Sequence, residues 1–453
     1  MSDSELLQSS GGLASSLISQ LESTAESLAD GLFDLQWAIH EHPELAFQEH
    51  FAHKACTDYI EKQGFEVTRH AYGLQTAWKA VYEVGEGGPV IGFNSEMDAL
   101  RGIGHACGHN LIAIAGIAAA VTTAHLLESR KISGKVILLG TPAEEAGGGK
   151  AYLLKRGAYD GMEACFMTHP GTQGYGSAIS TLSCNAAFSV KYTGASAHAG
   201  AVPERGINAL DAAVAAYSNI ALLRQMLPDS FRVYDTIQGS EGWTANVIAS
   251  ESRLTVGVRC PTAKETYGTI DRVLNCLKAA ALATGCQYEI RREALYFDMQ
   301  QAHELDDYFT KVCTETWGHK GYTVGRSSSY ASTDFGNISY HLPALHPTFS
   351  LPDSRAGDFP HSNTFASWTG SKSACEAAIQ SAVSIAAVGT RMIVDRAWAK
   401  SVRDSWVRQM ESIDGSETVS KIEKLVESFP LSPETSNAVC CGHDETNKHS
   451  NHV

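Results

Sequence analysis

Gly104–His105–Ala106–Cys107–Gly108–His109–Asn110 sets a thiol and an imidazole two positions apart, between a strand-like run and a long helix of small residues. Zinc accepts that mixture of sulfur and nitrogen ligands readily. Two ligands do not make a site, so the stretch is read together with what surrounds it. Asp98 comes before it, just past the run Val90–Asn94, where open α/β sheets place functional groups. A backbone-capping loop residue would look the same at that position. Glu144–Glu145 follow one strand later, then His169 ahead of a proline, then His361 ahead of Ser–Asn–Thr–Phe. Adjacent glutamates on a turn point different ways, so one can bind a metal while the other faces a substrate. The glycines from Gly147 to Gly149 permit close backbone approach beside them. Together these positions suffice for a two-metal hydrolytic centre.

Length and composition bound the rest. A chain of 453 residues is long for one core and implies two domains. A net charge of −15 argues against nucleic acid or an anionic membrane as the main partner. The opening Met1–Ser2–Asp3–Ser4–Glu5 has no basic region and no apolar run of the secretory type. The apolar run Leu111–Ala124 is short for a bilayer and interrupted by threonines. Eleven cysteines without regular spacing fit a reducing, cytoplasmic location with free thiols.

In chain order, residues 1–30 read as a polar extension that turns helical near Leu13. Residues 31–183 and 297–413 read as an α/β metal-binding domain, and 184–296 as an inserted unit. In that unit, strands Ala187–Tyr192, Phe231–Gln238, Ala245–Arg259 and Gln287–Arg292 alternate with helices Asn208–Met226 and Lys264–Thr284. The order β-α-β-β-α-β predicts a ferredoxin-like α+β domain. Residues 414–453 read as a polar, flexible tail, including Cys440–Cys441–Gly442–His443. His40–Glu41–His42 suggests a metal site, but Pro43 breaks the helix and a structural turn is expected.

Five motifs in order carry a resemblance: His40–Glu41–His42–Pro43–Glu44–Leu45, Met97–Asp98–Ala99–Leu100, His105–Ala106–Cys107–Gly108–His109, Pro142–Ala143–Glu144–Glu145, and Gly194 through Pro203 with Asn208–Ala209–Leu210. Over roughly residues 30–400 the chain is similar to the aminoacylase/carboxypeptidase-G superfamily of binuclear zinc peptidases and amidohydrolases. Its nearest branch resembles hippurate and indole-acetyl-amino-acid amidohydrolases and basic-residue dipeptidases. The resemblance implies a catalytic domain holding two divalent ions, zinc first with manganese or cobalt as alternatives, and a lid that pairs two subunits as a homodimer. Carried over by position, Cys107, His109, Glu145, His169 and His361 would be the metal ligands, and Asp98 would belong to the catalytic set. Glu144 would act as general base, taking a proton from a metal-bridging water and passing it to the leaving amine. His198 would polarise the substrate carbonyl, reaching into the other subunit's site, and Asn246 would bind substrate near the oxyanion. Arg259 would pair with a substrate carboxylate, although a lid-strand arginine serves equally in a salt bridge.

Two departures stand out. Asn110 and Ile112 replace the aspartate and last histidine of the run His-Ala-Cys-Gly-His-Asp-x-His, and Asn94 and Glu96 precede Met97–Asp98. The expected substrate is a dipeptide or an N-acyl amino acid. Three rivals stay open: the same site cleaving or forming an amide on a specialised metabolite, an inactive member acting as a binding or regulatory protein, and a redox sensor built on Cys107.

Overall fold

Leu17, Leu21, Ala25, Leu32, Leu35 and Ile39 fall on one face of helix α1 (Ser15–His40) and are buried in the main core. The computed structural model describes residues 6–8, 11–172, 181–239, 242–318, 328–329, 331–355 and 358–430. Helix α1 crosses residue 30 without a break, so the expected boundary between an N-terminal extension and the domain is not a joint in the fold. The apolar stripe continues on both sides of it. The helix stops just before Pro43, and the histidines there make local contacts, His42 Nδ1 lying 2.8 Å from the Ala38 carbonyl, as a structural turn requires.

Helix α2 (His50–Lys62) follows, its first turn capped by the Glu44 carboxylate, which accepts from the Phe51 and Ala52 amides. Strands β1 (Glu66–Arg69), β2 (Trp78–Val84) and β3 (Val90–Glu96) lead to α3 (His109–Arg130), β4 (Gly134–Thr141), α4 (Gly149–Lys155), β5 (Ala164–Phe166) and β6 (His169–Gly171). The inserted unit comprises β7 (Cys184–Thr193), α5 (Ala209–Arg224), β8 (Arg232–Gln238), β9 (Glu251–Cys260), α6 (Ala263–Thr284) and β10 (Gln287–Tyr296). The chain then returns through α7 (His303–Trp317), α8 (Phe335–Ser339), β11 (Ala344–Leu345), β12 (Thr348–Ser350), α9 (Asn363–Thr369), α10 (Lys372–Val394), α11 (Arg396–Ser412) and α12 (Gly415–Glu427).

The central sheet has the order β1-β2-β4-β3-β5-β11, with β4, β3, β5 and β11 parallel. From β3 the chain passes through α3 to β4 on one side, then back through α4 to β5 on the other. That reversal opens a crevice at the carboxyl ends of the parallel strands. Helices α3 and α10 are long and apolar enough to cross a membrane, but 94% and 83% of their most apolar stretches are buried inside the fold. They pack against each other and against the sheet, which explains why α3 is apolar all round rather than striped.

The inserted unit is the expected ferredoxin-like domain, a four-stranded antiparallel sheet in the order β10-β7-β9-β8 with its own core. One expectation at its edge is corrected. Residues 415–427 are a helix, α12, with Val419, Ile422 and Leu425 packed on the lid core beside α6. The tail therefore begins as structure, because an i, i+3, i+6 apolar spacing sits inside a polar composition. Cys440–Cys441–Gly442–His443 lies outside the described residues.

Candidate metal centre

The crevice gathers its polar side chains from strand ends. β3 delivers Glu96 and, two residues on, Asp98. The turn after β4 delivers Glu144 and Glu145, and the segment after β5 delivers His169. Cys107 and His109 enter at the N-terminus of α3, on either side of Gly108. Gly108 has φ +85°, and a Cβ there would lie 2.5 Å from Pro170 Cγ, so glycine lets the thiol and imidazole approach the β6 segment. Ala143 and His361 hold φ near +60°, at 61° and 66°, a strained conformation for side-chain-bearing residues. Backbone bonds hold the strain in place. The His361 amide donates to the Ala106 carbonyl at 2.7 Å, and the Ala143 amide donates to the buried Glu49 carboxylate at 2.8 Å.

The five expected ligands meet. Cys107 Sγ lies 3.4 Å from His169 Nε2, and His361 Nε2 lies 3.3 Å from Glu145 Oε1. Cys107, His109 and His169 have ligand atoms within 4.8 Å of one another, as do Cys107, Glu145 and His361. His109, Glu144 and Glu145 form a third such group. Asp98 touches both halves of the cluster. Its Oδ1 is 3.0 Å from His109 Nδ1, and its Oδ2 accepts from the Glu145 amide at 2.9 Å. A carboxylate on Nδ1 leaves Nε2 facing inward and free to ligate a metal, an arrangement common at metal-bound histidines.

Whether a cation fits is decided by the atoms left over. Among the described residues, Glu96 Oε2, His109 Nε2 and Glu145 Oε1 are buried and make no hydrogen bond. Buried polar atoms without a hydrogen bond are rare, and these three, with His109 Nε2 3.4 Å from Glu96 and 3.9 Å from Glu145, would be satisfied by a shared cation, either a bound metal ion or a proton on His109. Charge agrees. The carboxylates of Glu96, Asp98, Glu144, Glu145 and Asp334 oppose the single ammonium of Lys150, a formal charge of −4 with neutral histidines. With Cys107 ligating as a thiolate the total becomes −5, of which two divalent ions offset four charges. Burial and the neighbouring Glu96 and Glu145 charges push the Glu144 carboxyl well above the usual carboxylate range. Burial pulls the His109 imidazole down, yet Cys107, Asp98 and Glu96 together hold it well above its ordinary value. A proton and a metal compete for that ring.

Sequence reasoning had no role for Glu96 and did not single out Lys150, Asp334 or Glu49. Lys150 is fully buried, its Nζ 2.5 Å from Glu96 Oε1 and 2.6 Å from Asp334 Oδ1. Glu49 accepts from Thr76 Oγ1, Ala143 and Phe47, and burial next to Asp98 raises it to about 8. Of the two departures, Asn110 is now explained. Its amide donates to Gln36 and to the Thr369 carbonyl, tying α3 to α1 and α9. Ile112 is buried in apolar packing.

The lid candidates lie elsewhere. Among the described residues, the cluster's ion pairs and hydrogen bonds do not include His198, Asn246 or Arg259. His198 is exposed on the lid loop, its backbone bridged to Val247. Its Nδ1 accepts from the Gly200 and Ala201 amides, at 3.1 and 3.2 Å, so in the neutral ring the proton resides on Nε2. Asn246 is its neighbour, with its carbonyl accepting from the Ala199 amide. Arg259 sits on β9 with Nε donating to Tyr234 Oη at 3.1 Å. That contact is within the lid sheet.

Comparisons with known proteins agree with this architecture. Residues 92–385 match the model of peptidase family M20/M25/M40. A Xaa-Arg dipeptidase of Mus musculus is 36% identical over 403 residues, which is 83% of this chain and 89% of that protein. The solved aminobenzoyl-glutamate utilization protein of Klebsiella pneumoniae superposes with a TM-score of 0.65 at 20% identity, covering 83% of this chain and 98% of the other. The Bacillus subtilis YXEP protein, described as a dinuclear metal-binding peptidase, superposes with a TM-score of 0.57 at 22% identity, covering 81% of this chain and 100% of the other. The parallel sheet with its antiparallel lid and the matched length together make this chain a hydrolase of peptidase family M20/M25/M40.

Proposed function

We propose that the protein is a metal-dependent dipeptidase, hydrolysing the amide bond of a dipeptide or N-acyl amino acid and favouring a basic residue on the leaving side. The carrying observation is the convergence of Cys107, His109, Glu145, His169 and His361 at the strand ends, with Glu144 beside His109 and Glu145. The preference for a basic residue is supported by the dipeptidase relative's name and by the acidic charge of the chain. Those five side chains would hold two divalent ions, zinc first. When bound, such ions polarise a carbonyl and acidify water.

The chain's own groups handle the proton. Glu144 is 7% exposed, and burial beside Glu96 and Glu145 raises its carboxyl, which makes the ionised side chain a stronger base than an ordinary carboxylate, suited to take a proton from the attacking water and return it to the leaving amine. Tyr296 Oη donates to the Glu144 carbonyl at 2.7 Å and fixes the turn that carries it. Asp98 orients His109 and the Glu145 backbone. His198 would present Nε2–H to the carbonyl oxygen as negative charge develops there. Asn246 and Arg259 would line the lid side, toward the oxyanion and the substrate carboxylate. We further infer a homodimer through the lid, supported by the exposed Val214, Tyr217, Leu222 and Met226 along and just beyond α5. A cytoplasmic location is supported by nine free cysteines among the described residues, most of them buried.

The test is elemental analysis of the purified protein beside turnover of dipeptides ending in Arg, Lys or a neutral residue. Two ions per chain with faster cleavage of the basic series is the expected result. Dialysis against a chelator should abolish cleavage and lower the melting midpoint, because ions bound only to the folded state contribute about 4 kcal/mol at a thousand times their Kd. Absence of metal after reconstitution would remove the hydrolytic centre.

A further inference from the structure

We infer that Glu96 is a sixth protein donor to the cation centre, held in place by Lys150, with Asp334 as the anchor of Lys150. The inference rests on the metal-centre reading above and extends it to a residue outside the five-ligand set.

Glu96 is the last residue of β3, paired in parallel register with Thr141 of β4, so its backbone is fixed by the middle of the sheet. Its two oxygens have different surroundings. Oε1 receives Lys150 Nζ at 2.5 Å. Oε2 is buried, makes no hydrogen bond among the described residues, and lies 3.4 Å from His109 Nε2, which is equally without one. Asp334 provides the internal control. It neighbours the same ammonium and is equally buried, yet both its oxygens are used, Oδ1 by Lys150 Nζ and Oδ2 by the Lys150 amide at 2.8 Å. A carboxylate present only to neutralise Lys150 would be satisfied as Asp334 is. Glu96 instead spends one oxygen on the lysine and turns the other toward the ligating nitrogen of His109.

Lys150 has a second consequence. Its ammonium offsets one negative charge in a pocket of five carboxylates, so Glu96 enters beside Lys150 without raising the net negative charge of the pocket. Glu96, Glu144 and Asp334 also have oxygens within 4.8 Å of one another. The Lys150 ammonium lies against two of the three, which makes that trio an ion-pair cluster rather than a separate cation site. The open oxygen of Glu96 faces the His109 side.

The experiment titrates chelator-stripped full-length protein with Zn²⁺ in competition with a chromophoric chelator, for wild type, Glu96→Gln and Glu96→Asp. Glu96→Gln keeps a carbonyl oxygen for Lys150 and removes one charge. The expected result is two ions in the wild type, with one of them weakened about 10- to 100-fold in both variants. The metal-free Glu96→Gln protein should melt no lower than metal-free wild type, since a negative charge has left an over-negative pocket. Glu96→Asp covers the case in which the glutamine variant fails to fold, because it retains the charge and withdraws the oxygen by one methylene. Cobalt-loaded protein gives a second readout. The d–d bands of Glu96→Gln should differ from those of wild type, whereas the charge-transfer band of the Cys107 thiolate should persist. Wild-type uptake of two ions, with both variants within twofold of it, would overturn the role of Glu96 and leave the five-ligand centre standing. Wild-type uptake of no ions would overturn both.

Discussion

The two parts of the proposed site, at the strand ends and on the lid, are built in opposite ways. The strand-end half, apart from the exposed His361, is largely buried and is densely cross-linked. His109 is fixed by Asp98, Glu145 by Asp98 through its amide, Glu96 by Lys150, and Lys150 by Asp334. The lid part is an exposed loop where His198 is oriented by two backbone amides of its own turn and the Asn246 carbonyl accepts from the Ala199 amide. A preorganised, dry half stabilises charge well because it has no reorganisation left to undergo. An exposed half can move with a lid. On the proposed function, chemistry and closure would fall to different folding units, and substitutions in the two should fail differently.

Turnover gives the largest contrast. Glu144→Gln should reduce kcat by about 10⁴-fold, the upper range for a general acid–base residue, with metal content unchanged by elemental analysis. Comparable activity in that variant would remove Glu144 as the base. Stability gives the next. Lys150→Met should destabilise the protein by about 3–5 kcal/mol, because two buried carboxylates lose their counter-ion. Denaturant unfolding of the metal-free protein checks it. A variant as stable as wild type would show the strand-end half to be far more tolerant than its cross-linking implies.

The same contrast separates what was legible in the sequence from what was not. The lid was legible because its order of strands and helices is local, and each element carries its own period. Cys107, His109, Glu145, His169 and His361 were legible as candidates because each follows a strand or opens a helix, which is where an α/β sheet exposes ligands. Glu96, Lys150 and Asp334 were not. They are 54 and 184 positions apart and have no shared periodicity, and a lysine beside a glycine run reads as solvent-facing until the fold buries it. The boundary at residue 30 and the tail from residue 414 misled for the same reason. Composition averaged over a polar segment hides a stripe such as Leu17, Leu21, Leu32 and Leu35, or a short one such as Val419, Ile422 and Leu425.

His198 gives the smallest expected effect and the sharpest division between the halves. Its imidazole is exposed and bonded only to its own loop among the described residues, so His198→Ala should leave the melting midpoint and the metal content where they are. Its kcat should nevertheless fall about 10²-fold, the lower range for removing one donor to a developing oxyanion. The hydrogen bonds at Nδ1 say which proton matters. With Nδ1 accepting from Gly200 and Ala201, the donor left to offer a substrate would be Nε2–H, and a glutamine amide reaches a similar position with a donor of its own. His198→Gln should therefore recover part of the lost rate while His198→Ala does not. Lost metal in either variant would move His198 into the buried half of the site. Equal rates in the two would mean that the imidazole acts by shape alone.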